Sequence, residues 1–151
     1  MKKVSIREMY YFSLVCAIFM FFISIAGIVI ILLHFNDFAN STNRYLGVVF
    51  AFIIVGSFVV LNVSSLKRLI VLSKDYKAIK TNEFITITAT VVKFENNRDP
   101  ESGRQIRDRP IVRIAETNEE IVLDINVTVS VGKTYEFNYL KNSKIAEIVE
   151  K

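Results

Sequence analysis

Cysteine, histidine, tryptophan, proline and glycine are all scarce in this 151-residue chain, which holds one, one, none, two and five of them. Cys16 alone can form no intrachain disulfide, no Cys-based metal site and no Cys-x-x-Cys redox pair. There is no His-Glu-x-x-His, no Gly-x-Ser-x-Gly and no glycine-rich phosphate loop, so the common metal, nucleophile and phosphate sites have no foothold. Charge is missing too, but only locally. Neither Tyr10 to Leu33 nor Leu46 to Leu66 contains an Asp, Glu, Lys or Arg. Ion pathways and proton relays need ionisable groups inside the membrane, so a transporter acting as a single copy is disfavoured.

The excess in the 52% hydrophobic content lies in those two uncharged stretches, which also hold most of the twelve phenylalanines. The first is 24 residues long and the second 21. At about 1.5 Å per residue each matches or exceeds a hydrocarbon core of about 30 Å. The reading is an integral membrane protein with transmembrane helices at about 10–35 and 45–66, forming a hairpin over 1–66. A basic juxtamembrane segment follows over 67–80, then a soluble domain over 81–151. A cleaved signal peptide is disfavoured, because the first run outlasts an h-region of about 7 to 15 residues and no small-x-small site precedes a polar start.

The formal charge of +4 is unevenly placed. Residues 1–9 carry three basic groups against one acidic, and 67–80 carry five against Asp75. The connector 36–44 balances Asp37 with Arg44, whereas 81–151 holds ten basic and twelve acidic residues, a net of −2. Positive flanks on both outer ends place both termini in the cytoplasm and the short connector outside. The connector's Asn40-Ser41-Thr42 reads as a polar turn, and His34 as an interfacial imidazole. A nucleic-acid partner is disfavoured by the acidic balance of the soluble part.

Within the first run, Ser13, Ala17, Met20, Ser24 and Gly27 recur at 4-3-4-3 spacing, a stripe on which a second helix can approach closely. The second run offers Gly47 and Ala51, then Gly56, Ser57, Asn62, Ser64 and Ser65. If residue 10 lies level with residue 67, Asn62 falls near Ser13 and Cys16 and serves as a packing hydrogen bond. From Leu66 onward, Leu69, Leu72, Tyr76 and Ile79 form an apolar helical stripe among Lys67, Arg68, Lys74, Lys77 and Lys80. These basic residues are expected to contact anionic lipid headgroups, at about 1 kcal/mol each near the surface. The segment either continues the second helix as a stalk or bends onto the leaflet.

After Thr81 the period changes to two. Ile85, Ile87, Ala89 and Val91 alternate with threonines until Val92 and Phe94 shift the phase, as a bulge does. Ile121 to Val131 alternates strictly and predicts a strand or bent pair of strands, and Tyr135, Phe137 and Tyr139 mark another. Shorter runs at Ile111 to Ala115 and Lys144 to Val149 bring the total to about five, joined by turns at Thr117-Asn118-Glu119, Gly132-Lys133 and Leu140 to Ser143. Five short antiparallel strands predict a small OB-like or SH3-like barrel. The fold class is thus a membrane α-helical hairpin plus an all-β domain.

This order, hairpin then compact β domain, resembles small bacterial membrane proteins, of which the NfeD-like proteins are one group. The run Val131-Gly132-Lys133-Thr134-Tyr135-Glu136-Phe137-Asn138-Tyr139-Leu140-Lys141-Asn142-Ser143-Lys144-Ile145-Ala146 is also similar to the closing strands of a related bacterial membrane family. The resemblance implies an inner-membrane anchor carrying a barrel. It implies no site residue, and the richer glycine pattern of NfeD-like barrels is absent.

Carboxylates remain as the chemistry-bearing groups, yet Glu116, Glu119 and Glu120 crowd a turn, where solvation accounts for them. Arg98, Arg104, Arg107 and Arg109, with three interspersed acids, form a loop that could grip an acidic partner surface or headgroup. Tyr135, Phe137 and Tyr139 alternate with polar residues and read as core, not as a base-stacking platform. The expectation is a non-enzymatic, cofactor-free membrane protein whose domain binds a protein partner as adaptor, accessory subunit or regulator. Rival readings are an immunity factor against a toxin, a subunit of an oligomeric channel or transport complex, and a nucleic-acid tether. A second copy of the chain is a further candidate partner.

Overall fold

In the computed structural model, residues 5–36, 44–95, 109–126 and 128–149 are described. Two helices, α1 (Ile6–Leu33) and α2 (Arg44–Thr81), precede five strands. The strands are β1 (Ile85–Phe94), β2 (Pro110–Ile114), β3 (Glu120–Val122), β4 (Thr134–Tyr139) and β5 (Ala146–Ile148). The chain divides into two compact units, one formed by 12–71 and the other by 1–11 with 72–151.

In the first unit the two helices run antiparallel and are long and apolar enough to span a membrane. Their buried stripe is mostly small and polar side chains, Ala17 and Ser24 on α1 and Ala51 and Ser65 on α2, with Ile31 as its one large member. The expected stripe is there, with Ser13 and Gly27 half-buried on it, but Met20 points away and Phe21 takes its place. Gly47 is half-buried, whereas Gly56 and Ser57 lie on the outer face. Gly27 sits at a close approach of the helices, where a Cβ would lie 2.5 Å from the tip of the Phe58 ring.

The pairing register differs from the expected one. Asn62 donates through Nδ2 to the Ser24 hydroxyl at 3.0 Å, and Ser24 in turn donates to the Phe21 carbonyl at 2.8 Å. Ser13 instead accepts a long 3.5 Å hydrogen bond from Arg68. The helices are therefore offset from the 10-with-67 alignment, because the pairing is set by where Gly27 admits Phe58 and where the two buried polar groups meet. Asn62 makes its hydrogen bond across the pair to Ser24 and not beside Ser13 and Cys16.

Helix ends differ from the sequence reading for identifiable reasons. α1 starts at Ile6 because Ser5-Ile6-Arg7-Glu8 is a capping box: Glu8 N donates to Ser5 Oγ at 3.2 Å, and Ser5 N to Glu8 Oε2 at 2.9 Å. α2 runs unbroken through 66–67, so the basic segment prolongs the second helix and does not bend away from it. At 38 residues it is about 57 Å long, well beyond a hydrocarbon core of about 30 Å. It stops where Asn82 adopts φ 60° and Glu83 N reaches back to the Ala78 carbonyl at 3.1 Å, a Schellman ending with asparagine in glycine's usual role.

In the second unit the strands form one antiparallel sheet of order β3-β2-β1-β4-β5. The expected bulge is present, as the β1–β2 register shifts between Val91 and Lys93. Ala89, Val91, Val112, Leu123, Phe137 and Ala146 are fully buried and form the core, with Tyr139 nearly so and Tyr135 packed against it. Those aromatics are core, as their alternation predicts.

Two expectations are corrected. The sheet is not closed into a barrel: the continuation of β3 meets the approach to β5 only through one isolated parallel bridge, Asp124 with Ile145. The run 121–131 is not a continuous strand either. β3 ends at Val122, yet Leu123, Ile125 and Val129 remain buried. The alternation marks Leu123, Ile125 and Val129 as inward but fails at exposed Val131, and beyond Val122 the stretch pairs only through the Asp124–Ile145 bridge, whereas closure needs longer pairing.

Candidate functional site

The sheet unit offers two places where polar groups are assembled. The first surrounds the turn between β4 and β5. Asp75, on the last turns of α2, is 2% exposed and accepts three hydrogen bonds. Asn142 N donates at 3.2 Å, Asn142 Nδ2 at 2.7 Å and Ser143 N at 2.7 Å. A carboxylate receiving several N–H groups is well solvated by the protein itself, which is how a buried charge is tolerated. The turn is shaped to present them: Lys144 has φ 61°, and Leu140 and Ile145 close the hairpin at 2.9 Å.

The opposite side of the same hairpin meets α1. Glu147 on β5 accepts from Ile6 N at 2.8 Å, satisfying one of the donors a helix start leaves open. Arg7 reaches the Ile79 carbonyl at 3.4 Å, at the carbonyl-rich end of α2. The buried Tyr10 hydroxyl donates to the Leu72 carbonyl at 3.0 Å. Ile6, Tyr10, Leu72 and Ile79 are all fully buried around these bonds.

Sequence reasoning missed this assembly. It treated Asp75 as one charge among five basic residues and drew the stripe through Leu69, Leu72, Tyr76 and Ile79. The structure buries Leu72, Asp75 and Ile79 and leaves Tyr76 exposed. The available signal was the 3-4 spacing that puts Asp75 on the Leu72–Ile79 face.

The second place is a shallow concavity of about 330 Å³ on the outer face of β1, β4 and β5. Thr88, Thr134, Glu136, Ile148, Val149 and the edge of Tyr135 line it. Thr88 and Glu136 face each other across the strands, as do Thr90 and Thr134, whose hydroxyls share a 2.8 Å hydrogen bond. Val149 N donates to the Glu136 carbonyl at 2.8 Å, which fixes the wall beside β5. The lining mixes hydroxyls, methyl-bearing side chains and one carboxylate.

The remaining expected residues are spread apart. Lys67, Lys74, Lys77 and Lys80 are exposed along α2, while Arg68 is half-buried beside Ser13. Arg98, Arg104 and Arg107, and the Asn40-Ser41-Thr42 connector, lie outside the described residues. Arg109 sits 3.8 Å from Glu95, and its carbonyl accepts Glu95 N at 2.8 Å, so the pair closes the base of the β1–β2 connection. At the β2–β3 hairpin, Arg113 donates to Glu120 at 2.7 Å, and this bond holds the Glu120 carboxyl below its ordinary value. Among the described residues no three His, Cys, Asp or Glu side chains are grouped to hold a metal ion.

No protein-family model matches the chain, no curated protein matches it in sequence, and no solved structure matches its fold.

Proposed function

We propose that the chain is a non-enzymatic membrane adaptor: α1 and α2 anchor it, both termini are cytoplasmic, and the sheet binds a segment of a protein partner. The reading is supported chiefly by the open concavity at Thr88, Thr134, Glu136 and Ile148, whose lining suits recognition. Its hydroxyls and carboxylate would pair with backbone and a basic side chain of the partner, and Ile148 with Val149 would take a small apolar one. Lys67, Lys74, Lys77 and Lys80, exposed on the helix leading to the sheet, would hold anionic headgroups and keep the domain at the membrane surface.

A photo-crosslinking amino acid at Thr134, in the full chain in native membranes, is expected to give one discrete protein adduct. Adding Glu136→Lys should abolish it, and the same label at exposed Val131 should give none. An identical adduct pattern at Val131, or no protein adduct from Thr134, would remove the proposal. The channel reading loses ground because Asn62 and Ser24, the polar groups best placed to line a path, are spent on each other.

A further inference from the structure

We propose that the β4–β5 hairpin is a latch by which the pairing of α1 with α2 controls the shape of the sheet's outer concavity. The hairpin is held from two sides by two different helices. Asp75 of α2 grips its turn through three N–H groups, and Glu147 on its second strand grips the first turn of α1. Both grips exist together only while the first turn of α1 lies beside the last turns of α2, an arrangement that Arg7 with Ile79 and Tyr10 with Leu72 also require. Ile148 and Val149, which line the concavity, directly follow Glu147, and Val149 is bonded to Glu136 on the other wall.

The energetics favour a latch over a general stiffening. β5 itself is short, three residues paired with β4, and the hairpin joins the rest of the sheet through β4 and the Asp124–Ile145 bridge. Hydrogen bonds to a charged acceptor are worth about twice neutral ones, so Asp75 and Glu147 carry a large share of what fixes this hairpin. β1 and β2, by contrast, are zipped to each other over five residue pairs. Separating the helix ends should therefore loosen 140–149 while β1 and β2 stay ordered. The coupling rests on the hairpin's bonds alone and holds whatever occupies the concavity, so its test involves no partner.

The test is residue-resolved amide hydrogen exchange on the full chain in lipid bilayer discs. Gly27→Leu puts a branched side chain against the Phe58 ring between the two helices. It is expected to speed exchange at Leu140, Lys144, Ala146 and Val149 by about tenfold, the ratio that overpacking of this size corresponds to. Ile114 and Ala115, bonded within the β1–β3 side, should keep their wild-type rates. Asp75→Ala should produce the same selective acceleration, and combining it with Gly27→Leu should add little. Asn62→Ala serves as the gentler variant, with about a threefold effect at the same amides, and it decides the matter if Gly27→Leu does not fold. Unchanged hairpin rates, equal acceleration at Ile114 and Ala115, or full additivity with Asp75→Ala would each overturn the proposal.

Discussion

Residues 12–71 turn Phe12, Phe19, Phe22, Phe50 and Phe52 outward and keep Ala17, Ser24, Ala51 and Ser65 inside. In the sheet unit the order is reversed: Val91, Val112, Leu123 and Phe137 are inside, and Thr86, Thr88 and Glu120 face out. One chain thus carries two opposite rules of burial. In the sheet, large apolar groups leave water and that transfer drives packing. In the proposed membrane placement no such transfer exists between the helices, and close approach of small groups and a few hydrogen bonds would hold the pair. The side chains that look misplaced by the first rule are the ones that obey the second.

The contrast makes the cost of a substitution depend on which rule it meets. Phe137→Ala empties a fully buried site in the sheet and is expected to destabilise it by about 3 to 5 kcal/mol, read as a lowered midpoint in thermal unfolding of the sheet signal. Asp75→Ala removes a charged acceptor, and since each such hydrogen bond contributes about 1.5 to 3 kcal/mol, the sheet's midpoint should fall by at least about 6 °C. A Phe12→Ala change, equally large in volume but outward on α1, should leave both midpoints within the range of an ordinary surface change, about 0.5 kcal/mol. If it cost as much as Phe137→Ala, the outward face of α1 would be packed against protein and the inverted rule would fail.

Asn62→Ala should weaken helix pairing by only about 0.6 kcal/mol, measured by steric trapping or reversible unfolding in bicelles. The smallest expected effect is acid-dependent. Because Glu120 has a lowered pKa in the folded state, its bond to Arg113 adds stability above the unfolded glutamate pKa. That contribution is lost as pH falls through the folded value, below about 4.3. The stability difference between wild type and Glu120→Gln should accordingly shrink as pH drops from 7 to 3, and a difference that grew on acidification would contradict the assignment.

Much of this arrangement was legible from spacing. Uncharged length marked both helices, period-two alternation marked β1 and β4, and the phase slip at Val92 marked the bulge. Alternation reports which side chains turn inward, however, and says nothing about whether a partner strand lies alongside, so 121–131 looked like a strand and the open sheet looked like a barrel. Composition placed the change of character at Thr81. The compact units divide at 11/12 and 71/72: Ile6 and Asp75 are bonded to the hairpin, Ile6 to a residue 141 positions away, while Tyr10 is bonded to Leu72 and Arg7 to Ile79. The capping box at Ser5 was readable and was masked by the apolar run after it. The concavity was not readable, since Thr88, Thr134 and Ile148 meet only through the β1–β4–β5 pairing.

Between Thr81 and Ile85 the chain has only Asn82, Glu83 and Phe84, and the first of these is committed to reversing direction. A connection of that length gives no slack for β1 to swing on, so the strand departs from α2 at an angle set by backbone geometry and not by chance.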